Sequence, residues 1–394
     1  MDAGTYADTC TIDSTVFICG PNYGINPNTG SRVAEAIVYP AISNPDPTTS
    51  SVVLFYLMAN ASGTEIDGLT LDGDNPGLTS GVVNNGADVD AIEAISSYEG
   101  VADVSITNNI IKQVSYAAID LYNYNNGGAA TSNNLVANNL FQNIMPSGGF
   151  GLGILIYNNC YTTIRDNVMD EVRVGIQTGN FYQADPGNSH AIYNNQVHSA
   201  RIGIWHNLTY QNASTFDIYD NDITTATGFG FDNQGLKITS QQGNVGVNVW
   251  NNTVTGAPIG IDLWNNPTSN TVTVGYNQFI DCDTAIFANN YDGYSSDANS
   301  SSYVIDSVDV QNAKVALLVK DNASNSNGAT VSVEVLDSSI FNSTTGIVIE
   351  GGGASVSFYG SLSTVLYGSN RIHHPANQRQ RCAQYRYGCP HGAF

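Results

Sequence analysis

The stretch VGVNVWNNTVTGAPIGIDLW, residues 245–264, decides the fold. Val245, Val247 and Val249 alternate with small or polar residues, the doublet Asn251-Asn252 follows, and Gly260-Ile261-Asp262-Leu263-Trp264 resumes the alternation. Period-two alternation over four to six residues marks half-buried strands. The same plan recurs along the chain. Its doublets are Asn108-Asn109, Asn138-Asn139, Asp166-Asn167, Asn194-Asn195, Asp220-Asn221, Asn251-Asn252 and Tyr276-Asn277, with steps of 30, 28, 28, 26, 31 and 25 residues. About ten residues after each comes a small residue before an aliphatic one, as in Gly153-Ile154 and Gly346-Ile347. No stretch carries a helical period over a dozen residues.

Short strands at a period near 28 residues, separated by Asn, Gly, Ser, Thr and Asp turns, predict an all-β parallel solenoid, one coil per unit. Successive coils should lie about 4.8 Å apart. The doublet reads as corner chemistry. Asn tolerates the left-handed conformation, and stacked Asn side chains can hydrogen-bond from coil to coil.

The repeated V-x-I/V-x-N-N … G-I-x-L/I unit resembles that of the right-handed parallel β-helix repeat proteins, the pectin-lyase-like superfamily, over residues 60–350. The resemblance implies a right-handed single-stranded parallel β-helix, here of about ten coils. The segment from Asp2 to Val38 looks like the first coils of large secreted β-helix proteins of Bacteroidetes-type bacteria, which are often surface-exposed. This divides the chain into amino-terminal coils or a cap over 1–60, repeats over 61–366, and an irregular tail over 367–394.

That tail holds Arg371, Arg379, Arg381, Arg386, His373, His374, His391, Cys382 and Cys389, and no acidic residue from 368 onward. It reads either as a basic, disulfide-closed cap or as a truncated or out-of-frame end. Of the other cysteines, Cys10 and Cys19 flank one strand and could pair, whereas Cys160 and Cys282 read as small buried residues. Met1 leads directly into strand sequence, so the chain reads as a mature form or fragment without its leader.

The 394 residues carry 12 Lys plus Arg against 34 Asp plus Glu, a net charge of −22. This sign disfavours nucleic acid and anionic membrane surfaces. No run of apolar residues is long enough to span a membrane. The expected partner is an extracellular polysaccharide or cell-surface glycan, and the expected location is outside the cell or on its surface.

Counting two residues on from each small residue gives an outward column of Glu93, Asp120, Leu155, Gln177, Trp205, Asp232, Asp262 and Phe287. Two further on it gives Ile95, Tyr122, Tyr157, Gly179, Asn207, Gln234, Trp264 and Asn289. Aromatic rings beside carboxylates suit sugar, with rings for pyranose faces and polar groups for hydroxyls. The carbohydrate-binding candidates are therefore Asp120, Tyr122, Tyr157, Trp205, Asp232, Asp262 and Trp264. Ordinary cross-strand contacts on a sheet surface are the alternative.

Two catalytic readings stand beside this. Asp232 and Asp262 on successive coils would provide the carboxylate pair of a glycoside hydrolase. Arg173, Arg201 and His206, with Trp205, would supply the cation and base of a polysaccharide lyase. Yet the motifs of polygalacturonases, pectate lyases and alginate epimerases are absent. A phage tail-spike module is a third class with this fold. No cofactor or metal ligand set is expected; calcium is the ion that the loop carboxylates of Asp72-Gly73-Asp74-Asn75 and Asp281-Cys282-Asp283 would suit. The reading that leads is a secreted or cell-surface β-helix for adhesion, scaffolding or carbohydrate contact. A polysaccharide lyase or glycoside hydrolase is the alternative.

Overall fold

The structure is a computed structural model. It describes residues 1–366 apart from 46–51, 81–82, 85, 124–130, 145–149, 159, 181–188, 211–213, 227–232, 240, 243–244, 267–270, 291–299 and 322–328. The tail and its two cysteines lie outside the described residues.

The chain is a right-handed parallel β-helix. Each full coil has three strands, as in Val245–Trp250, Thr253–Thr255 and Ile259–Trp264. The first strands of the coils form one twelve-stranded parallel sheet. The second and third form two ladders, joined because Val168–Asn180 and Gln196–Tyr210 run through the corner between them. The amino-terminal strands enter the sheets directly, with Gly4–Ala7 on Ala36–Tyr39 in the ladders and Phe17–Cys19 on Glu65–Asp67 in the first sheet. Cys10 and Cys19 are free thiols on different sheets, which corrects the expected pairing; Cys160 and Cys282 are buried.

Inward columns supply the core. In the first sheet one column runs Ile66, Ile106, Val136, Ile164, Ile192, Ile218, Val249, Val274 and Ile305. All of these are buried, and burying a side chain of this size contributes about 1.5–3 kcal/mol.

The doublet has two separate tasks. Its first member turns the corner: Asn108, Asn138, Asp166, Asn194, Asp220, Asn251 and Tyr276 have φ between 54° and 58°. Its second member points inward and joins a file. Asn109, Asn139, Asn167, Asn195, Asn221, Asn252 and Asn277 hydrogen-bond amide to amide at 2.8–3.2 Å. Ser307 and Asp337 keep the left-handed corner after the doublet has faded from the sequence. There Ser338 replaces the amide, its Oγ accepting the Val308 N–H at 3.1 Å.

Stacked glycines set the entry to the third sheet. A Cβ on Gly175 would lie 2.5 Å from the Gly203 carbonyl oxygen, on Gly203 2.5 Å from that of Gly235, and on Gly260 2.4 Å from that of Ala285. Such approaches exclude any side chain.

Two histidines lie inside. His190 packs among Tyr161, Phe216 and His206, and its Nδ1 accepts the Thr162 N–H at 3.3 Å. Burial pushes His190 down to about 4. Its ordinary value is 6.5, so between these limits the unfolded chain binds a proton that the folded chain refuses. Stability from this group is full above pH 6.5 and falls by about 3 kcal/mol as the pH drops to 4. The difference in unfolding free energy between the parent and His190→Phe should therefore shift by that amount between pH 7 and pH 4. Parallel pH profiles in urea unfolding would refute it.

Candidate functional site

Alternation sends every second side chain of the third sheet outward. The observed outward column is Ser96, Asp120, Leu155, Gln177, Trp205, Lys237, Asp262 and Phe287. Beside it stand Tyr122, Tyr157, Gly179 and Asn207, and further along Thr239, Trp264 and Asn289.

Four positions differ from the sequence reading. In the second column Thr239, not Gln234, is in register with Trp264, and Ile95 pairs with Ile119 in the buried core rather than standing in the Tyr122 column. The other two are in the first column. Lys237, not Asp232, lies between Trp205 and Asp262. The strand is Gln234–Thr239, so Gly235-Leu236, and not the similar dipeptide Gly230-Phe231, is the small-aliphatic pair of this coil. Gly235 fills the glycine stack, and Leu236 fills the inward column between Ile204 and Ile261. Asp232 lies outside the described residues, and the register partner of Asp262 on the preceding rung is Lys237. Likewise Ser96 takes the place given to Glu93, which pairs in register with Ala117.

The face has two polar stations. At the first, the rings of Tyr56, Tyr98, Tyr122 and Tyr157 follow one another with centroids 6.2 Å apart. Glu93 and Asp120 are buried beside them, and the Tyr98 hydroxyl donates to Glu93 Oε1 at 2.7 Å. Burial raises both carboxyls, and the repulsion of Glu93 raises Asp120 further. Tyr157 accepts hydrogen bonds from the amides of Gln177 and Asn207. Its ring lies over Gly179, where a Cβ would come within 2.7 Å of it.

The second station is built around Lys237. Its Nζ lies 5.1 Å from the ring centroid of Trp205 and 4.7 Å from that of Trp264, within cation–π range of both. Trp205 Nε1 donates to Thr239 Oγ1 at 2.9 Å, and Thr239 donates on to Asn207 Oδ1 at 2.8 Å. Asp262 is buried and receives Asn289 Nδ2 at 3.1 Å. Burial pushes Asp262 up to about 6, while the Lys237 charge and the Asn289 bond pull it down. Trp205 and Trp264 are each partly exposed.

The expected lyase cluster does not assemble. Trp205 faces outward, whereas His206 faces the core, its Nδ1 2.9 Å from Thr178 Oγ1 and its ring against Phe216. Arg173 and Arg201 lie where the long strands pass from the second ladder into the third, and Arg173 donates to the Phe150 carbonyl at 3.4 Å. The loop carboxylates are engaged as well. Asp72 pairs with Lys112 at 2.9 Å and accepts the Asp74 N–H; Asp281 turns a corner and Asp283 pairs with Lys314 at 2.6 Å. Among the described residues no group of three His, Cys, Asp or Glu side chains is placed to hold a metal.

Chemically, the second station offers one acid that titrates near neutrality, one cation, two rings and amides. Asp262 has Lys237 and Phe287 as column neighbours. A two-carboxylate cleavage thus has one member here among the described residues. Asn207 and Asn289 stand in the second column as the sequence places them, whereas Lys237 and Thr239 are in neither column read from the sequence. Recognising Gly235-Leu236 as the repeat signal would have found Lys237.

No family model matches the chain. One curated relative, the uncharacterized protein YwoF of Bacillus subtilis (strain 168), is 26% identical over 130 residues, which is 32% of this chain and 28% of the relative. Among solved structures the chain is similar to the catalytic domain of a GH87 alpha-1,3-glucanase in complex with nigerose. There the TM-score is 0.42 at 15% identity, over 94% of this chain and 63% of that one, less than two thirds of its length. It is also similar to the A-module of mannuronan C-5 epimerase AlgE4 of Azotobacter vinelandii (TM-score 0.29, 12% identity, 86% and 91% covered). A third is the surface protein and adhesin PfbA of Streptococcus pneumoniae (TM-score 0.32, 12% identity, 94% and 90% covered). These likenesses concern the fold and transfer no residue or activity.

Proposed function

We propose that this chain is a secreted or cell-surface β-helix that contacts polysaccharide through the outer face of its third sheet. The observation that supports this is the second station, where two partly exposed indoles are held by one lysine beside a carboxyl and several amides. Rings fixed in this way present apolar area at little entropic cost, and the polar groups around them suit hydroxyls. The strongly acidic composition agrees with an exposed, highly solvated surface. No helix among the described residues is long and apolar enough to cross a membrane.

Affinity electrophoresis through gels of neutral and acidic polysaccharides tests the proposal. The parent chain should be retarded by at least one polysaccharide, and Trp205→Ala and Trp264→Ala should each weaken retardation at least ten-fold. Retardation unchanged in both variants would remove the third sheet from the reading. Release of reducing ends or unsaturated uronate that Asp262→Asn abolishes would instead make the face an active site.

A further inference from the structure

A different sheet carries a second feature. On the outside of the first sheet, Tyr193, Tyr219 and Trp250 occupy one column on successive coils. Their rings are nearly coplanar in orientation, at 7° for each pair, with centroids 4.8 and 4.5 Å apart. The stack therefore advances one ring per coil. The next position in the column is Gly275, and the one after it is Asp306.

Neither usual reason for glycine applies at Gly275. It does not adopt a positive φ. Among the described residues, a Cβ there would meet only the Asp306 carbonyl oxygen, at 3.6 Å, an ordinary contact. The stacked glycines at the third-sheet corner are the contrast, since a Cβ there would strike a carbonyl oxygen. Gly275 is buried in the sheet and has no side chain, so the rung next to Trp250 carries no ring to continue the stack. Trp250, whose one face is covered by Tyr219, is 39% exposed. On the rung beyond Gly275, Asp306 Oδ1 accepts the Ser307 hydroxyl at 2.9 Å. Trp250 and Asp306 are two rungs apart, about 10 Å by strand spacing.

We infer that this open rung takes one uncharged hexopyranose unit of a glycan, its apolar face on Trp250 and its hydroxyls toward Asp306. A ring of about one rung in thickness continues the stack. Charge selects against a uronate, because Asp217, Asp220 and Asp306 border the stack. The nearest cation in the column, Arg165 beyond Tyr193, is paired with Asp166. The inference rests on no contact of the third sheet.

The test uses the full chain with Trp205→Phe and Trp264→Phe, which leaves Trp250 as the sole tryptophan of the three. Malto-, cello- and laminari-oligosaccharides are titrated while Trp250 emission is followed, with oligogalacturonate as the charged control. At least one neutral series should give a saturable change, oligogalacturonate none, and Gly275→Leu should weaken the response at least ten-fold at unchanged melting temperature. No response to any neutral series, an equal response to oligogalacturonate, or full response in Gly275→Leu overturns the inference. Should the double-Phe chain fail to fold, Gly275→Leu and Trp264→Ala are compared by retardation in neutral-glucan gels. Loss in Gly275→Leu, whether or not Trp264→Ala also loses, supports the open rung. Full retardation of Gly275→Leu, or no retardation of the parent, overturns it.

Discussion

Replacing Asn195 by alanine will lower the stability of the chain by about 3–5 kcal/mol. Asn195 sits near the middle of the amide file, fully buried. Its Oδ1 accepts the Asn167 N–H at 3.1 Å and the Asn167 Nδ2 at 3.0 Å. Its Nδ2 donates to Asn221 Oδ1 at 3.0 Å and to the Ile164 carbonyl at 3.1 Å. Alanine strands these groups where water cannot reach them, and each orphaned buried group costs about 1–3 kcal/mol. Asn195→Ser should recover part of the loss, because Ser338 meets the Val308 N–H in the same way at the far end. Because coils contact mainly their neighbours, the damage should be local as well as global. Urea unfolding with amide exchange read at Asn167 measures both. A loss below about 1 kcal/mol would show that the file contributes little.

The second large effect is expected at Lys237. Lys237→Met removes the cation that faces Asp262 and leaves a buried carboxylate with only the Asn289 amide and no counter-charge, at a cost of about 3–5 kcal/mol at pH 8. The sign of its pH dependence is fixed. Asp262 already titrates at about 6 in the folded chain against an ordinary 3.8, so the folded state favours the protonated acid. Its contribution is therefore more favourable at low pH and is lost as the pH rises through the folded value. Without Lys237 that value moves higher still. The deficit of Lys237→Met should shrink on acidification, once the carboxyl is neutral. Adding Asp262→Asn should restore most of the stability at pH 8. A deficit that is constant from pH 8 to pH 5 would mean that the lysine acts through packing on the two indoles alone.

The period was legible in the sequence because two unlike tasks at the corner, a left-handed residue and an inward amide, select neighbouring residues. Where the amide gives way to Ser338, the structural repeat continues but the written one does not. The outward face was less legible, because register depends on which small residue opens the strand. Gly230-Phe231 and Gly235-Leu236 both satisfy the pattern locally. Only the stacked carbonyl of Gly235 and the aliphatic column between Ile204 and Ile261 separate them. That slip put a carboxylate where a lysine stands. The inward direction of His206 follows from alternation, while its ring neighbours His190 and Phe216 are distant in sequence and leave no local trace.

The amide file also limits how such a chain can change in length. From Asn109 to Asn252, each asparagine of the file accepts from the coil on one side and donates to the asparagine of the coil on the other. A segment gained or lost as one complete turn closes the file again with the same partners. A partial turn leaves a donor and an acceptor facing core. The steps of 25 to 31 residues between asparagines show where latitude exists: the turns differ in length while the file keeps its place. Growth by whole turns, with variation confined to the connections between them, is the only kind of change this interior accommodates without loss.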